Sequence, residues 1–136
     1  MTDWEFRWNI DFTGKPMPTF FISGHLDLTP EEFAEHYVVK LMAAQAMGAS
    51  FIVGDARGAD TLAQAWLKER TTNVRVYHMF ETPRNNLGFS TSGGFKSDKE
   101  RDEAMTAGSS HDIAWVRPGR ETSGTAKNLA RRLTRA

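Results

Sequence analysis

Phe51-Ile-Val-Gly-Asp-Ala-Arg-Gly-Ala-Asp60 runs from a short apolar segment into a turn with two glycines, and Thr61-Leu-Ala-Gln-Ala-Trp-Leu67 then opens a helical pattern. Strand, tight glycine turn and helix start together make a geometry that receives phosphate. A helix N-terminus offers N–H groups at its positive dipole end, and Gly54 and Gly58 let the backbone approach a ligand closely. The same order recurs at Phe20-Phe-Ile-Ser23-Gly24 and at Ser123-Gly124-Thr125, each ahead of a helix. Turn chemistry alone explains any one of these. Three in one chain argue for a shared anion site.

Outward from that stretch, strands alternate with helices. Thr19-Phe-Phe-Ile-Ser23 is an unbroken apolar run suited to a sheet covered on both faces. Thr29, Pro30 and Glu32 spell a capping box, and Phe33, Tyr37, Leu41 and Ala44 recur at helical spacing up to a stop at Gly48. Phe51–Val53, Val74–Met79 and His111–Val116 read as further strands. Ala59–Lys68, Ser97–Met105 and Thr122–Arg135 read as helices. Phe80 to Lys96 has no periodicity and reads as a long loop of the kind that forms lids or stays disordered. Trp4, Phe6, Trp8, Ile10 and Phe12 alternate with polar residues, which predicts an N-terminal edge strand. The expected fold is a single Rossmann-like α/β domain over residues 1–136, three-layered, with a mostly parallel sheet and that extra edge strand.

Composition narrows the function classes. Lysine plus arginine and aspartate plus glutamate both total 17, so no net charge draws the chain to nucleic acid or to an anionic membrane. Arg131, Arg132 and Arg135 crowd the last helix with Lys127, but no aromatics interleave them, and cations near a helix C-terminus complement its dipole. The absence of cysteine excludes disulfides, thiolate zinc sites and cysteine nucleophiles. No histidine or carboxylate spacing suggests a metal, and no cofactor is expected. No apolar run reaches the length of a membrane span, and the first residues do not read as a signal peptide, so the expectation is a cytoplasmic protein.

In an open α/β sheet, ligands bind beyond the carboxyl ends of the strands, where strand order reverses. The turns Gly24-His25-Leu26-Asp27, Gly54 to Asp60 and Pro118-Gly119 with Ser123 to Thr125 all fall there. The candidate ligand-binding residues are therefore Ser23, Gly24, His25, Gly54, Asp55, Arg57, Gly58, Asp60, Arg101, Ser123, Gly124 and Thr125. Arg57 and Arg101 stand out because guanidinium forks match phosphate oxygens, with surface ion pairs as the competing reading. His25 has the chemistry to bond a ribose or act as an acid, although a turn histidine is commonly polar surface. His36 is expected to be exposed, and Trp66 and Trp115 to belong to the core.

Gly54-Asp-Ala-Arg-Gly-Ala-Asp60, Arg101-Asp-Glu-Ala-Met105, Asp112 at the start of a strand, and Pro118-Gly119 leading to Ser123-Gly-Thr125 resemble the SLOG superfamily. The nearest branch is the YspA/cpYpsA-related proteins, and the resemblance covers about residues 19–132. LONELY GUY phosphoribohydrolases, DprA and nucleotide-signal sensor domains share the superfamily. The resemblance implies a Rossmann-like fold and a small nucleotide or ADP-ribose-like ligand, sensed or sequestered, with release of a base from a nucleoside monophosphate as the alternative. It matches Arg101 to the functional arginine and Gly124-Thr125 to the phosphate turn. It also implies a glutamate three residues beyond Thr125, where this chain has Asn128. An N-glycosidic hydrolysis needs a carboxylate, so Asp60 and Glu121 join Arg101 as candidate catalytic residues, with Asp55 and Asp27 as further substitutes. Related proteins often complete their sites across a dimer, for which apolar residues on the first helix are a candidate face.

Overall fold

The computed structural model describes residues 16–135, so the expected strand over Trp4–Phe12 lies outside the described residues. In chain order the elements are β1 (Thr19–Ile22), α1 (Pro30–His36), α2 (Val38–Ala46), β2 (Ser50–Gly54), α3 (Ala59–Lys68), β3 (Val74–Met79), β4 (Ser90–Phe95), α4 (Asp98–Ala107), β5 (His111–Ile113) and α5 (Gly124–Arg135). The five strands form one sheet in the order β4-β3-β2-β1-β5, and all four pairings are parallel. The chain winds outward from β1 to β4 and then returns to pair β5 against the other side of β1. The switch point therefore lies between β1 and β5.

Alternation within the strands sorts the core into two layers. Ile22, Phe51, Val53, Val74 and Val76 meet Phe33, Tyr37 and Leu41 from α1 and α2 and Ala63 and Leu67 from α3. Phe21 and Ile52, one residue out of phase, meet Met105 of α4 and Tyr77. Full burial of a Phe, Leu or Ile side chain contributes roughly 1.5–3 kcal/mol, so the first layer carries most of the stabilisation. The result is a Rossmann-like three-layer α/β fold. No helix among the described residues is long and apolar enough to cross a membrane.

Several boundaries follow the sequence closely. The Thr29 hydroxyl accepts from Glu32 N–H at 3.1 Å while the Glu32 carboxylate accepts from Thr29 N–H at 3.0 Å. Gly48 ends the helical stretch at φ +81°, with Ala49 N–H bonded back to the Ala44 carbonyl. At Ser97 only half of a capping box forms: the hydroxyl accepts from Glu100 N–H, whereas the Glu100 carboxylate takes Lys96 N–H. The helix expected from residue 30 to 48 is two segments. The backbone bends at Tyr37 (φ −120°), whose ring is buried and whose hydroxyl donates to the Ser23 carbonyl at 2.7 Å and accepts from Trp115 N–H at 3.1 Å. That second bond also ends β5 at Ile113 instead of Val116 by drawing the chain toward α1. The last helix starts at Gly124, two residues later than expected.

Phe80 to Lys96 differs most from expectation. Residues 80–89 replace the usual crossover helix, and residues 90–95 form the edge strand β4. Buried Gln64 of α3 holds this crossover, donating to the Gly54 and Asn85 carbonyls and accepting from Leu87 N–H. Asn85 donates to the Thr61 hydroxyl, and Lys68 to the Leu87 carbonyl. Asn86 closes the segment through both polar groups of Phe89. The strand went unread because Ser90-Thr-Ser-Gly-Gly94 carries no apolar alternation. Gly93 packs directly on the buried His78 ring, leaving no space for a Cβ.

Candidate functional site

A cleft of about 500 Å³ opens at the carboxyl ends of β1 and β2, beside the switch point. That is within the range of small-molecule sites, about 300–1,000 Å³. Of the expected residues, Ser23, Gly24, His25, Gly54, Arg57, Asp60, Arg101, Ser123, Gly124 and Thr125 line it. Asp55 lies buried behind Arg84 and Arg101, Gly58 lies beneath the turn, and Glu121 stands outside, exposed, accepting from Gly119 N–H at 3.0 Å.

Two N–H groups of the turn at 54–60 are taken by the protein's own groups, while those of Arg57, Gly58, Asp60 and Thr61 have no partner among the described residues. Ala56 N–H donates to the Asp60 carboxylate at 3.1 Å and Ala59 N–H to the His25 carbonyl at 3.1 Å. Gly58 holds φ +73°, and a Cβ there would run into the His25 and Leu26 carbonyls. A Cβ on Gly54 would stand 2.6 Å from the Asp60 carboxylate. These glycines are required by contacts with the polypeptide.

The turn at 123–125 is open. Ser123 caps α5, its hydroxyl accepting from Ala126 N–H at 3.2 Å, while the Gly124 and Thr125 N–H groups have no partner among the described residues. Nothing stands within 4 Å of a Cβ built on Gly124. Ser23, which follows β1 and also lines the cleft, is 6% exposed, and its hydroxyl is buried without a hydrogen-bond partner. An orphaned buried hydroxyl costs about 1–3 kcal/mol.

Arginines and carboxylates interleave along the rest of the lining. Arg84 grips Asp55 with its backbone N–H and two guanidinium nitrogens at 2.8–3.2 Å, and Arg101 donates to the same carboxylate at 3.0 Å. Burial pushes the Asp55 pKa up, but the Arg84 hydrogen bonds outweigh it and leave the group below its usual value. Arg101, nearly buried, also reaches Asp102 at 3.3 Å and Asp98 at 3.5 Å. Arg57 is exposed and has no carboxylate partner among the described residues.

Two cleft carboxyls titrate upward. Burial pushes Asp60 up to about 7, against the opposing pull of Ala56 N–H and Arg101. Burial also raises Asp102, beside which stand Arg101 on its own helix and Asn128 and Arg131 on α5. Asn128 is buried, lines the cleft, and accepts from the Arg131 guanidinium at 2.6 Å. Among the described residues, no group of His, Asp and Glu has the arrangement to hold a metal ion.

The rim on the β1 side is a further ionic cluster. Arg117 bonds Glu32 at 2.6 and 2.8 Å and Asp27 at 3.1 Å, and Arg120 bonds Asp27 at 2.7 Å. These arginines hold Asp27 and Glu32 at about 2. His25 accepts the Arg117 N–H on Nε2 at 2.9 Å, which fixes a neutral ring, and burial together with Arg117 and Arg120 lowers its pKa. His36 is half-buried and stacks on Trp115 with centroids 3.8 Å apart, instead of standing free in solvent. Trp66 and Trp115 pack against the core as expected, while Arg132 turns back to Asp112 and to the Thr106 and Ser109 carbonyls.

Sequence reasoning missed Arg84, Asp98, Asp102, Arg117 and Arg120. Only Asp102 left a local trace: it sits three residues before buried Met105 and next to buried Arg101, at the margin of the inward face of α4. Comparison of the chain with protein-family models, with curated proteins and with solved structures finds no match in any of the three.

Proposed function

We propose that the cleft binds a nucleotide or ADP-ribose-like ligand, as a sensing or sequestering domain, with a phosphate seated at the start of α5. One observation carries this reading. Gly124 and Thr125, whose N–H groups have no partner among the described residues, line the same cleft as Ser23, whose buried hydroxyl is unpartnered. Backbone donors at a helix N-terminus suit a phosphate, and Arg57 is the cleft guanidinium without an internal partner among the described residues. The resemblance to the SLOG superfamily belongs to this proposal and supports the same ligand class.

Gly124→Leu tests it. A Cβ at this position meets no protein atom within 4 Å, so the fold should be retained while the side chain fills the phosphate seat. Calorimetric titration with nucleoside 5′-monophosphates and ADP-ribose should show binding to the wild type and at least a tenfold loss in the variant. Unchanged affinity would place the ligand elsewhere. A second reading, an N-glycosidase, is favoured by the Asp60 carboxyl: at about 7 it keeps a proton available in the cleft at neutral pH.

A further inference from the structure

We propose that the solvent-facing side of α2 is the docking surface for the chain's own N-terminal segment, with Trp8, Ile10 and Phe12 laid along Val39, Met42, Ala43, Ala46 and Met47. Seven of the nine residues of α2 are apolar, and its polar positions are Lys40 and Gln45. A helix that is apolar nearly all round is ordinarily covered on every side. Here Leu41 and Ala44 are buried in the larger core layer, whereas Val39 is 73% exposed, Met42 56% and Met47, at the C-cap, 47%, with Ala43 and Ala46 exposed between them. The spacing 39, 42, 43, 46, 47 gathers these five into one stripe. Leu26, Phe80 and Leu133, also exposed, stand singly on separate elements.

Position, length and pattern name the occupant. The Met17 methyl lies 3.2 Å from where a Cβ on Gly48 would stand, so the chain before Met17 sets out from the C-terminal end of the stripe, next to Met47. The residues from Thr13 to Pro16 join Phe12 to Met17, a reach of up to about 17 Å, and Gly14 with Pro16 and Pro18 suits a turn back along the helix. In an extended chain Trp8, Ile10 and Phe12 span about 13 Å. Val39 to Met47 on a helix span about 12 Å. Trp4 to Phe12 alternates apolar with polar residues, so it has one face to cover and one, with Glu5, Arg7, Asn9 and Asp11, to leave in water. A second copy of the chain fits the stripe less well. One face of one helix falls short of the roughly 20–30 residues a side of a stable interface, whereas a tethered segment does not pay the cost of bringing two molecules together.

The chain has no cysteine, so engineered thiols report on this contact alone. The full chain is oxidised mildly as Ile10→Cys with Met42→Cys, and as Ile10→Cys with Thr91→Cys, the latter exposed on the edge strand β4. Non-reducing electrophoresis should show an intramolecular disulfide forming about tenfold or more faster in the first pair. Equal rates, or a faster second pair, would overturn the proposal, the latter by putting the segment at the sheet edge. A second measurement follows maleimide labelling of Met42→Cys alone. Labelling should speed up about tenfold when Trp8, Ile10 and Phe12 are all changed to Ser, and an unchanged rate would leave the stripe uncovered by this segment. Light scattering decides against the other occupant: wild type should be unaffected by Met42→Glu in its oligomeric state, and a dimer that Met42→Glu dissolves would make a second copy the partner and overturn the proposal.

Discussion

The turns at 54–60 and 123–125 read alike in the sequence, each a glycine turn opening a helix at the same sheet edge, yet they perform different work. In the first, Ala56 and Ala59 N–H are taken by Asp60 and His25, and Gly58 is pressed against two carbonyls. In the second, two N–H groups are free and Gly124 faces open space. Glycine therefore marks close approach without saying what approaches. The partner of the Ala56 and Ala59 N–H groups in the first turn is the polypeptide itself, through the Asp60 carboxyl and the His25 carbonyl.

Four substitutions sharpen that contrast. Gly58→Val forces a β-branched residue into φ +73° and into the His25 and Leu26 carbonyls. It should cost about 4 kcal/mol in urea denaturation; less than about 1 kcal/mol would mean the turn yields easily. Asp55→Ala leaves Arg101 without the most buried of its three carboxylate partners and unlatches Arg84. A loss of about 3 kcal/mol is expected, together with faster amide exchange over residues 84–89.

Asp60→Asn should act in the opposite direction. Asp60 binds its proton more tightly folded than unfolded, so its contribution is fully present below about pH 4 and is lost as pH rises toward about 7. The variant should lack that decline and be more stable than wild type by about 1–2 kcal/mol at pH 8. Parallel stability profiles for the two proteins from pH 4 to 8 would contradict the burial argument. The smallest effect belongs to Gly124→Leu, whose stability should stay within about 0.5 kcal/mol of wild type while nucleotide binding is lost.

The same contrast explains what the sequence made legible. β1, β2, β3 and the starts of α1, α3 and α4 were readable because apolar runs and caps act over neighbouring residues. β4 was not, since its stability comes from a ladder with β3 and from packing of Gly93 on His78, neither of which leaves a periodic signal. Most of the cleft lining was legible from the turns, but its ionic wiring was not. Asp55 meets Arg84 and Arg101 across separations of 29 and 46 residues, and His25 meets Arg117 across 92. Only the fold decides such pairs, which is why Arg101 reads as a phosphate ligand in the sequence and stands among three carboxylates in the structure.

The central claim is that the anion seat lies at the start of α5 and not at the turn after β2. Titration of AMP into the protein, followed residue by residue through backbone amide resonances, tests it directly. The account predicts saturable shifts, largest at Gly124 and Thr125, with Ala56 and Ala59 little changed because their N–H groups are already bonded. Shifts centred on residues 56–59, with Gly124 and Thr125 unmoved, would contradict it.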